Sequence, residues 1–463
     1  MKEKTWYYIL PIVGMVFGLW YVKKAFVDVV YSDYIRLVNS YLPDVWNPDK
    51  FFVGDILTRI PLNYVARIIN VTFFDYRIRF DQVLGVISLA LSAIFIASYA
   101  IRKNMGVFWF LCLMTVMFSL NKWEMMINGS GWIHFFAFAG FYYHYLVVER
   151  LWAGRQKRGD HVRLLVLPWI LTLAVAGPYC AIYTVVLVLT YGLKAVLIRY
   201  REKRWEKNYL IYGICTVIPL LLYIWSNSYV IDEPKGIAEV SIAVQFLDTP
   251  GYFLRFFIKS FASMVIGVES AEAGFGTNLP YMILGVFVIW GYVMALILYI
   301  RYKVYEETIF PLILMSSGVL NHILILLSRW VYLNENYGMS SRYALQFQIG
   351  ILGIILTFAL VSQRKRREKI PGRERTVIQA ASFFIMAVVL TGNIYTTKEE
   401  IRKAPIRAEN CARRAQIALD FENRTDDELR ENFEYKMSNP QGGQLVREAL
   451  TILKENHLNI FRE

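Results

Sequence analysis

LLVLPWILTLAVAGPYCAIYTVVLVLTYGLKAVLI, residues 164–198, decides the topology, because it reads either as one long kinked membrane helix or as two short ones. A spanning helix takes about 17–25 apolar residues, and this stretch holds 35, interrupted near its middle by Gly177-Pro178. Proline ends or kinks a helix, because it lacks a backbone N–H and its ring clashes with the preceding turn. The flanks discriminate. ERLWAGRQKRGDHVR (149–163) and RYREKRWEKN (199–208) are both strongly basic, and Lys/Arg-rich loops collect on the cytoplasmic side. Both flanks share a side only if the chain turns at Gly177-Pro178.

Outward from this stretch, further apolar runs lie at 6–22, 83–101, 106–120, 131–148, 209–225, 280–300, 308–327, 343–361 and 376–394. With 164–176 and 179–198 as separate spans, the chain is expected to be an all-α polytopic membrane protein of about eleven transmembrane helices. Placing the N-terminus in the cytoplasm makes 1–5, 102–105, 149–163, 199–208, 301–307 and 362–375 the inner segments, with 23 Lys/Arg in 55 residues. The outer segments 23–82, 121–130, 177–178, 226–279 and 328–342 carry 14 in 141, a more than fourfold lower density.

Composition agrees. The chain is 56% hydrophobic, 16% aromatic and 19% charged, against roughly 25% charged in a soluble domain. The net charge of +13 sits in short runs between apolar stretches, so topology accounts for it and no nucleic acid is implied. Lys2 and Lys4 precede the run Trp6–Val22, no small-x-small cleavage site follows it, and it reads as an uncleaved first span. Cys112, Cys180 and Cys215 fall in apolar stretches and Cys411 stands alone, a pattern of buried thiols without metal or disulfide spacing.

The first outer loop (23–82) and the large outer loop (226–279) are aromatic-rich but lack an uninterrupted span, as helices lying in the membrane interface do. A transmembrane domain 1–394 is followed by a tail, 395–463, with 13 acidic and 12 basic residues. Leu445, Ala449, Ile452 and Leu453 recur there at helical spacing, so the tail reads as a small extracytoplasmic helical appendage.

Candidate chemistry gathers in the outer segments. In AFVDVVYSDYIRLVNSYLPDVW, Val30, Tyr34, Leu37, Val38 and Tyr41 share one helical face, expected to lie in lipid. Asp33, Arg36 and Ser40 share the other. A carboxylate just past a span is partly desolvated, and Asp33 is a candidate proton acceptor, with Asp28 a second carboxylate one turn earlier. The alternative is an Asp33–Arg36 pair on a solvated face. Arg67, Arg77 and Arg79 alternate with apolar residues, which suits cations snorkelling to headgroup level or, alternatively, a dock for a lipid phosphate.

Arg255 and Lys259, four apart, stack on one face of TPGYFLRFFIKSFASMVIG, either as interface anchors or as ligands of a lipid-linked phosphate. In MSSRYALQF, Arg342 sits at a helix N-terminus, where the macrodipole disfavours a cation, so an anionic partner is expected. Ser340 and Ser341 are available N-caps. Asn321 and His322 within a span, Arg329 just past it, and Lys122, Glu124 and Asn128 in NKWEMMINGSGW complete the set. Asn128-Gly-Ser also matches a glycosylation sequon.

Walker, GxGxxG, HExxH and Ser-His-Asp patterns are absent, which disfavours chemistry driven by a cytoplasmic nucleotide. No acidic residue sits at the centre of any expected span, which disfavours an ion-coupled transporter.

On YSDY with Asp33, the two expected interfacial helices at about 28–42 and 60–80, the amphipathic large outer loop and SSRY with Arg342 at the outer end of a late span, the chain resembles the GT-C glycosyltransferases. The tail LVREALTILKENHLNIF is similar to those of bacterial membrane proteins of this kind. The chain departs from the family's common acidic pair, since Tyr34 follows Asp33.

The resemblance implies transfer of a sugar, with inversion, from a polyprenyl-phosphate donor to a cell-envelope glycan acceptor outside the cytoplasmic membrane. Asp33 would act as base. Arg342, with Arg255 and Lys259, would stabilise the departing phosphate; Arg36, Lys122, Glu124, His322 and Arg329 would line the substrate site. No metal or other cofactor is indicated, although the missing acidic pair leaves a divalent ion open. The alternatives are a polysaccharide polymerase or ligase, and a non-enzymatic transporter or flippase of lipid-linked saccharides.

Overall fold

A computed structural model describes residues 2–52, 60–227, 238–268, 277–368, 372–437 and 439–462. Parts of both long outer loops, 53–59, 228–237 and 269–276, lie outside the described residues. The described chain is helical and has no strand. Nine of its helical stretches are long and apolar enough to cross a membrane: Lys4–Ala25, Ile78–Arg102, Val107–Ile127, Gly177–Glu202, Lys207–Ser226, Leu279–Arg301, Phe310–Tyr332, Ser341–Arg364 and Thr376–Leu419. The other two expected spans are helical too, at Trp132–Trp152 and Asp160–Ile170, without being among these nine. The protein is a multi-pass helical membrane protein.

The chain does reverse at Gly177-Pro178. Helix Asp160–Ile170 widens through Leu171–Val175, passes one tight turn at Gly177–Tyr179 and enters Cys180–Glu202. Gly177 has φ +53, a left-handed conformation that only glycine adopts without a Cβ penalty. His161, at the start of the first helix, hydrogen-bonds Tyr212, whose ring lies 5.7 Å from Tyr191 of the second. Lys194, in the later half of that second helix, donates to the Trp152 carbonyl at 3.0 Å, beside the loop that starts the first.

Described residues in or beside all six Lys/Arg-rich segments meet on this one face. Tyr7 donates to the Met105 carbonyl. Lys103 pairs with Glu149 at 3.0 Å and donates to the Glu307 carbonyl at 3.0 Å. Gln363 donates to the Asn104 carbonyl at 2.9 Å, and Trp152 to the Tyr305 carbonyl at 2.8 Å. Arg201 stands 3.6 Å from Glu306.

Helix Phe310–Arg329 packs on Ala344–Glu368, the most enclosed span, through a pair of glycines. A Cβ on Gly318 would meet the Gly350 Cα at 2.5 Å. Small residues let membrane helices approach this closely. Gly318→Val is expected to wedge them apart at a cost of about 1–3 kcal/mol. The readout is a lowered melting temperature in detergent, and an unchanged one would show that the pair tolerates separation.

Two expectations are corrected on the opposite face. Helix Asp33–Tyr41 is not half-immersed in lipid, because Tyr34, Ile35, Leu37, Val38 and Tyr41 are all buried in protein. Its cover is the C-terminal helix Gly442–Glu455, with Asn39 donating to the Leu445 carbonyl at 2.9 Å. Nor does the tail begin as a separate appendage at residue 395. The last of the spanning helices runs on past it, over Gly372–Leu419, 48 residues. At 1.5 Å per residue that is about 70 Å, more than twice the hydrocarbon core. Asp426–Asn432, started by a Thr425/Glu428 capping box, then leads to Gly442–Glu455.

Candidate active site

The face opposite the basic segments holds a cleft of about 80 Å³. That is room for several waters at about 10–15 Å³ each. Asp33 and Arg36 reach it from one turn of the same helix. Asp33 is the first residue of that helix, where the macrodipole favours a carboxylate. Asn63 reaches the cleft from helix Pro61–Phe74 and Arg342 from the turn Ser341–Tyr343.

Glu124 comes from the five-residue helix Trp123–Ile127. It accepts from two successive residues, Arg342 Nε and the Ser341 hydroxyl, the latter at 3.0 Å. This is the anion that an arginine at a helix start calls for, and the Ser340 hydroxyl accepts the Arg342 N–H at 3.4 Å as a cap. The Arg342 side chain is still 40% exposed. A guanidinium has five N–H donors, so one carboxylate does not exhaust it.

The Asn128–Gly131 turn forms another wall. The Asn128 side-chain oxygen accepts from the Ser130 N–H at 3.2 Å and the Ser130 hydroxyl at 2.7 Å. Asn128 is buried within this turn, so the sequon reading is corrected: it is a structural turn. His134 follows on the first turn of Trp132–Trp152, edge-on to the Tyr179 ring at 4.9 Å. Among the described residues its Nδ1 has no hydrogen-bond partner. Sequence reasoning missed His134 and Asn63. The signal for His134 was a polar residue opening a span directly after Gly-Ser-Gly.

The cleft thus brings together Asp33, Arg36, Glu124, Asn128 and Arg342 of the expected residues. The others lie elsewhere. Asp28 is no second carboxylate of this site. It accepts the Ile78 N–H, at the start of a spanning helix, at 2.9 Å, and Asn459 Nδ2 at 3.3 Å, with Arg462 3.8 Å away. Burial pushes its carboxyl above the usual range against the pull of the Ile78 N–H and Arg462. Lys122 is enclosed and caps the Val107–Met117 helix, donating to the Met117 carbonyl at 3.0 Å and the Ser119 carbonyl at 2.7 Å.

Arg255 and Lys259 do not converge on Asp33 either. Both grip Glu335: Arg255 through two nitrogens at 2.7 and 2.6 Å, Lys259 at 2.8 Å. Lys259, 1% exposed, also donates to Asn278 and Asn336, each at 3.1 Å. Burial pushes the Glu335 carboxyl up, but the bonds from Lys259 and Arg255 outweigh it and hold the group below its usual value. His322 is a core residue, stacked between Phe261 and Phe347 at 3.7 and 3.8 Å with Nδ1 2.9 Å from the Ser260 hydroxyl. The Arg329 guanidinium lies 6.0 Å from the centre of the Tyr343 ring.

Of the arginines expected at headgroup level, Arg67 is wholly buried and pairs with Asp81, itself wholly buried. Asp81 also accepts from the Tyr34 hydroxyl at 2.5 Å, and the Arg67 guanidinium lies 5.6 Å from the Tyr76 ring centre. This network backs the cleft. A Cβ on Gly129 would meet the Tyr34 hydroxyl at 2.5 Å, so only glycine lets the Asn128–Gly131 turn close over it. Arg79 donates to the Phe26 carbonyl at 3.2 Å, and Arg77 is about half exposed at 47%.

Fold and cleft define a multi-pass helical membrane protein with a two-signed polar pocket on the face away from its basic segments. Comparison with protein-family models, curated proteins and solved structures finds no match.

Proposed function

We propose that the protein is a membrane glycosyltransferase of the GT-C kind. It takes a sugar from a polyprenyl-phosphate donor to a cell-envelope glycan acceptor, with inversion. The observation that carries this reading is that Asp33, from the first loop, and Arg342, from the start of a late span, line one cleft. The basic face then lies in the cytoplasm and the cleft outside the cytoplasmic membrane, as the Lys/Arg asymmetry favours.

Asp33 takes the proton of the acceptor hydroxyl as its oxygen attacks the anomeric carbon. The bond from that carbon to the phosphate oxygen breaks, and the electron pair leaves with the polyprenyl phosphate. Arg342 and Arg36 face the charge that develops there, and Glu124 fixes the Arg342 guanidinium in place beforehand. An apolar groove of about 460 Å³, lined by Phe257, Phe261, Tyr292, Leu312 and Val319, suits the prenyl chain.

The test is turnover of polyprenyl-phosphate hexoses by purified protein in lipid vesicles, read as release of polyprenyl phosphate. Arg342→Ala is expected to lower donor use by about 10²–10³-fold, the range for losing one charge-stabilising donor, with the acceptor KM unchanged. A change confined to the acceptor would remove Arg342 from the donor site. Movement of lipid-linked saccharide across the vesicle without release of polyprenyl phosphate would replace the transferase reading with a flippase.

A further inference from the structure

We infer that the described C-terminal segment, residues 395–437 and 439–462, is the positioning element of the cleft: it fixes the helices carrying both carboxylates, Asp33 and Glu124. The grip on the Asp33 helix comes from both ends and from behind. Before the helix, Phe433 supplies the carbonyl that accepts the Ser32 N–H at 2.8 Å, and Arg414 lies over the Tyr31 ring at 4.8 Å. On it, Asn39 reaches the Leu445 carbonyl at 2.9 Å. Behind it, the buried Asn459 donates its backbone N–H to the Asp75 carbonyl at 2.7 Å and its side-chain amide to Asp28 at 3.3 Å and the Tyr76 carbonyl at 3.0 Å.

The helix needs this support. It has nine residues, and isolated helices shorter than about 12–15 residues are marginal in water. It is entered through Ser32 at φ 52, ψ −127, a conformation non-glycine residues hold only when their surroundings impose it. The carbonyl of Phe433 is what the Ser32 N–H meets there.

The second grip is on the segment leading to Glu124. Thr397, just past the expected end of the last span, accepts the Leu120 N–H at 3.1 Å. Nearly three turns further along the same helix, the Arg407 guanidinium stacks on the Trp123 ring at 3.1 Å, next to Glu124, and is itself held by the buried Glu400 at 2.6 and 3.1 Å. Asp33 and Glu124 are 91 residues apart in sequence, and one C-terminal segment braces both.

Maleimide labelling of cysteines placed in the cleft tests this without any assay of sugar transfer. Asp33→Cys and Met125→Cys supply the probes, and the part-buried native Cys215, on helix Lys207–Asn227, is the internal reference. Asn459→Gly keeps the left-handed backbone at φ 56 and the N–H to Asp75 but removes the side-chain bonds. It is expected to speed labelling at position 33 by about tenfold, the shift in a local opening equilibrium for losing bonds to buried groups. Arg407→Gln is expected to speed labelling at position 125 by a similar factor, and Arg407→Lys, which keeps a cation over the ring, to restore most of the protection. Unchanged rates at both probes in variants of unchanged melting temperature would overturn the brace. So would an equal acceleration at Cys215, which would mark general loosening.

Discussion

Asp33→Asn is expected to lower sugar transfer by about 10²–10⁴-fold, the usual contribution of a positioned general base. The substitution is nearly isosteric, and losing the negative charge at the helix start costs only about 0.3–1 kcal/mol. The burial of the Tyr34, Ile35, Leu37 and Val38 side chains does not depend on the carboxylate. Folding and membrane insertion should therefore persist, and donor binding, assigned to Arg342 and Arg36, should change far less than turnover. Single-turnover transfer by purified protein, with the melting temperature measured alongside, checks this. Near-normal transfer in the variant would take Asp33 out of the mechanism.

Arg67→Leu is expected to destabilise the protein by about 3–5 kcal/mol, the range for removing one partner of a buried ion pair. Both Arg67 and Asp81 are fully enclosed, so water cannot take over solvation of the carboxylate left behind. Against a total stability of about 5–15 kcal/mol for a typical protein this is a large loss. The expected signs are poor recovery from membranes and a strongly lowered melting temperature. The double variant Arg67→Leu, Asp81→Leu should regain most of the loss, since apolar replacement of a whole buried pair is often neutral. It should not regain all of it, because the Tyr34 hydroxyl loses its acceptor at 2.5 Å. A single variant as stable as the parent would show that Asp81 does not depend on the arginine.

These two residues differ in how they could be read from the sequence. Asp33 stands just past an apolar run, with Arg36 one turn on, and both reach the cleft. The need of Arg342 for an anion was legible from the helix dipole alone, and Glu124 meets it. Arg67 was not legible. It alternates with apolar residues much as Arg77 and Arg79 do, yet Arg77 is half exposed and Arg67 is wholly enclosed. What separates them is Asp81, placed by the first turn of the following helix. The same limit applies to Arg255 and Lys259: helical spacing put them on one face, but Glu335, 76 residues beyond Lys259, decides what that face touches.

By itself the sequence determined that the chain is a succession of apolar helices, the reversal at Gly177-Pro178 and the gathering of the basic segments on one face, but not the count, since nine of the described stretches and not eleven are long and apolar enough to span. Each of these follows from local composition and from the cost of placing charge in hydrocarbon, and none depends on which helix is whose neighbour. Tertiary structure alone decided which charges meet, that the Asp33 helix lies under protein and not lipid, and that residues 395–437 and 439–462 return to the first loop. Periodicity tells which side chains share a face. The partner across that face is chosen by packing between segments hundreds of residues apart, such as Asn39 with Leu445 and Asp28 with Asn459.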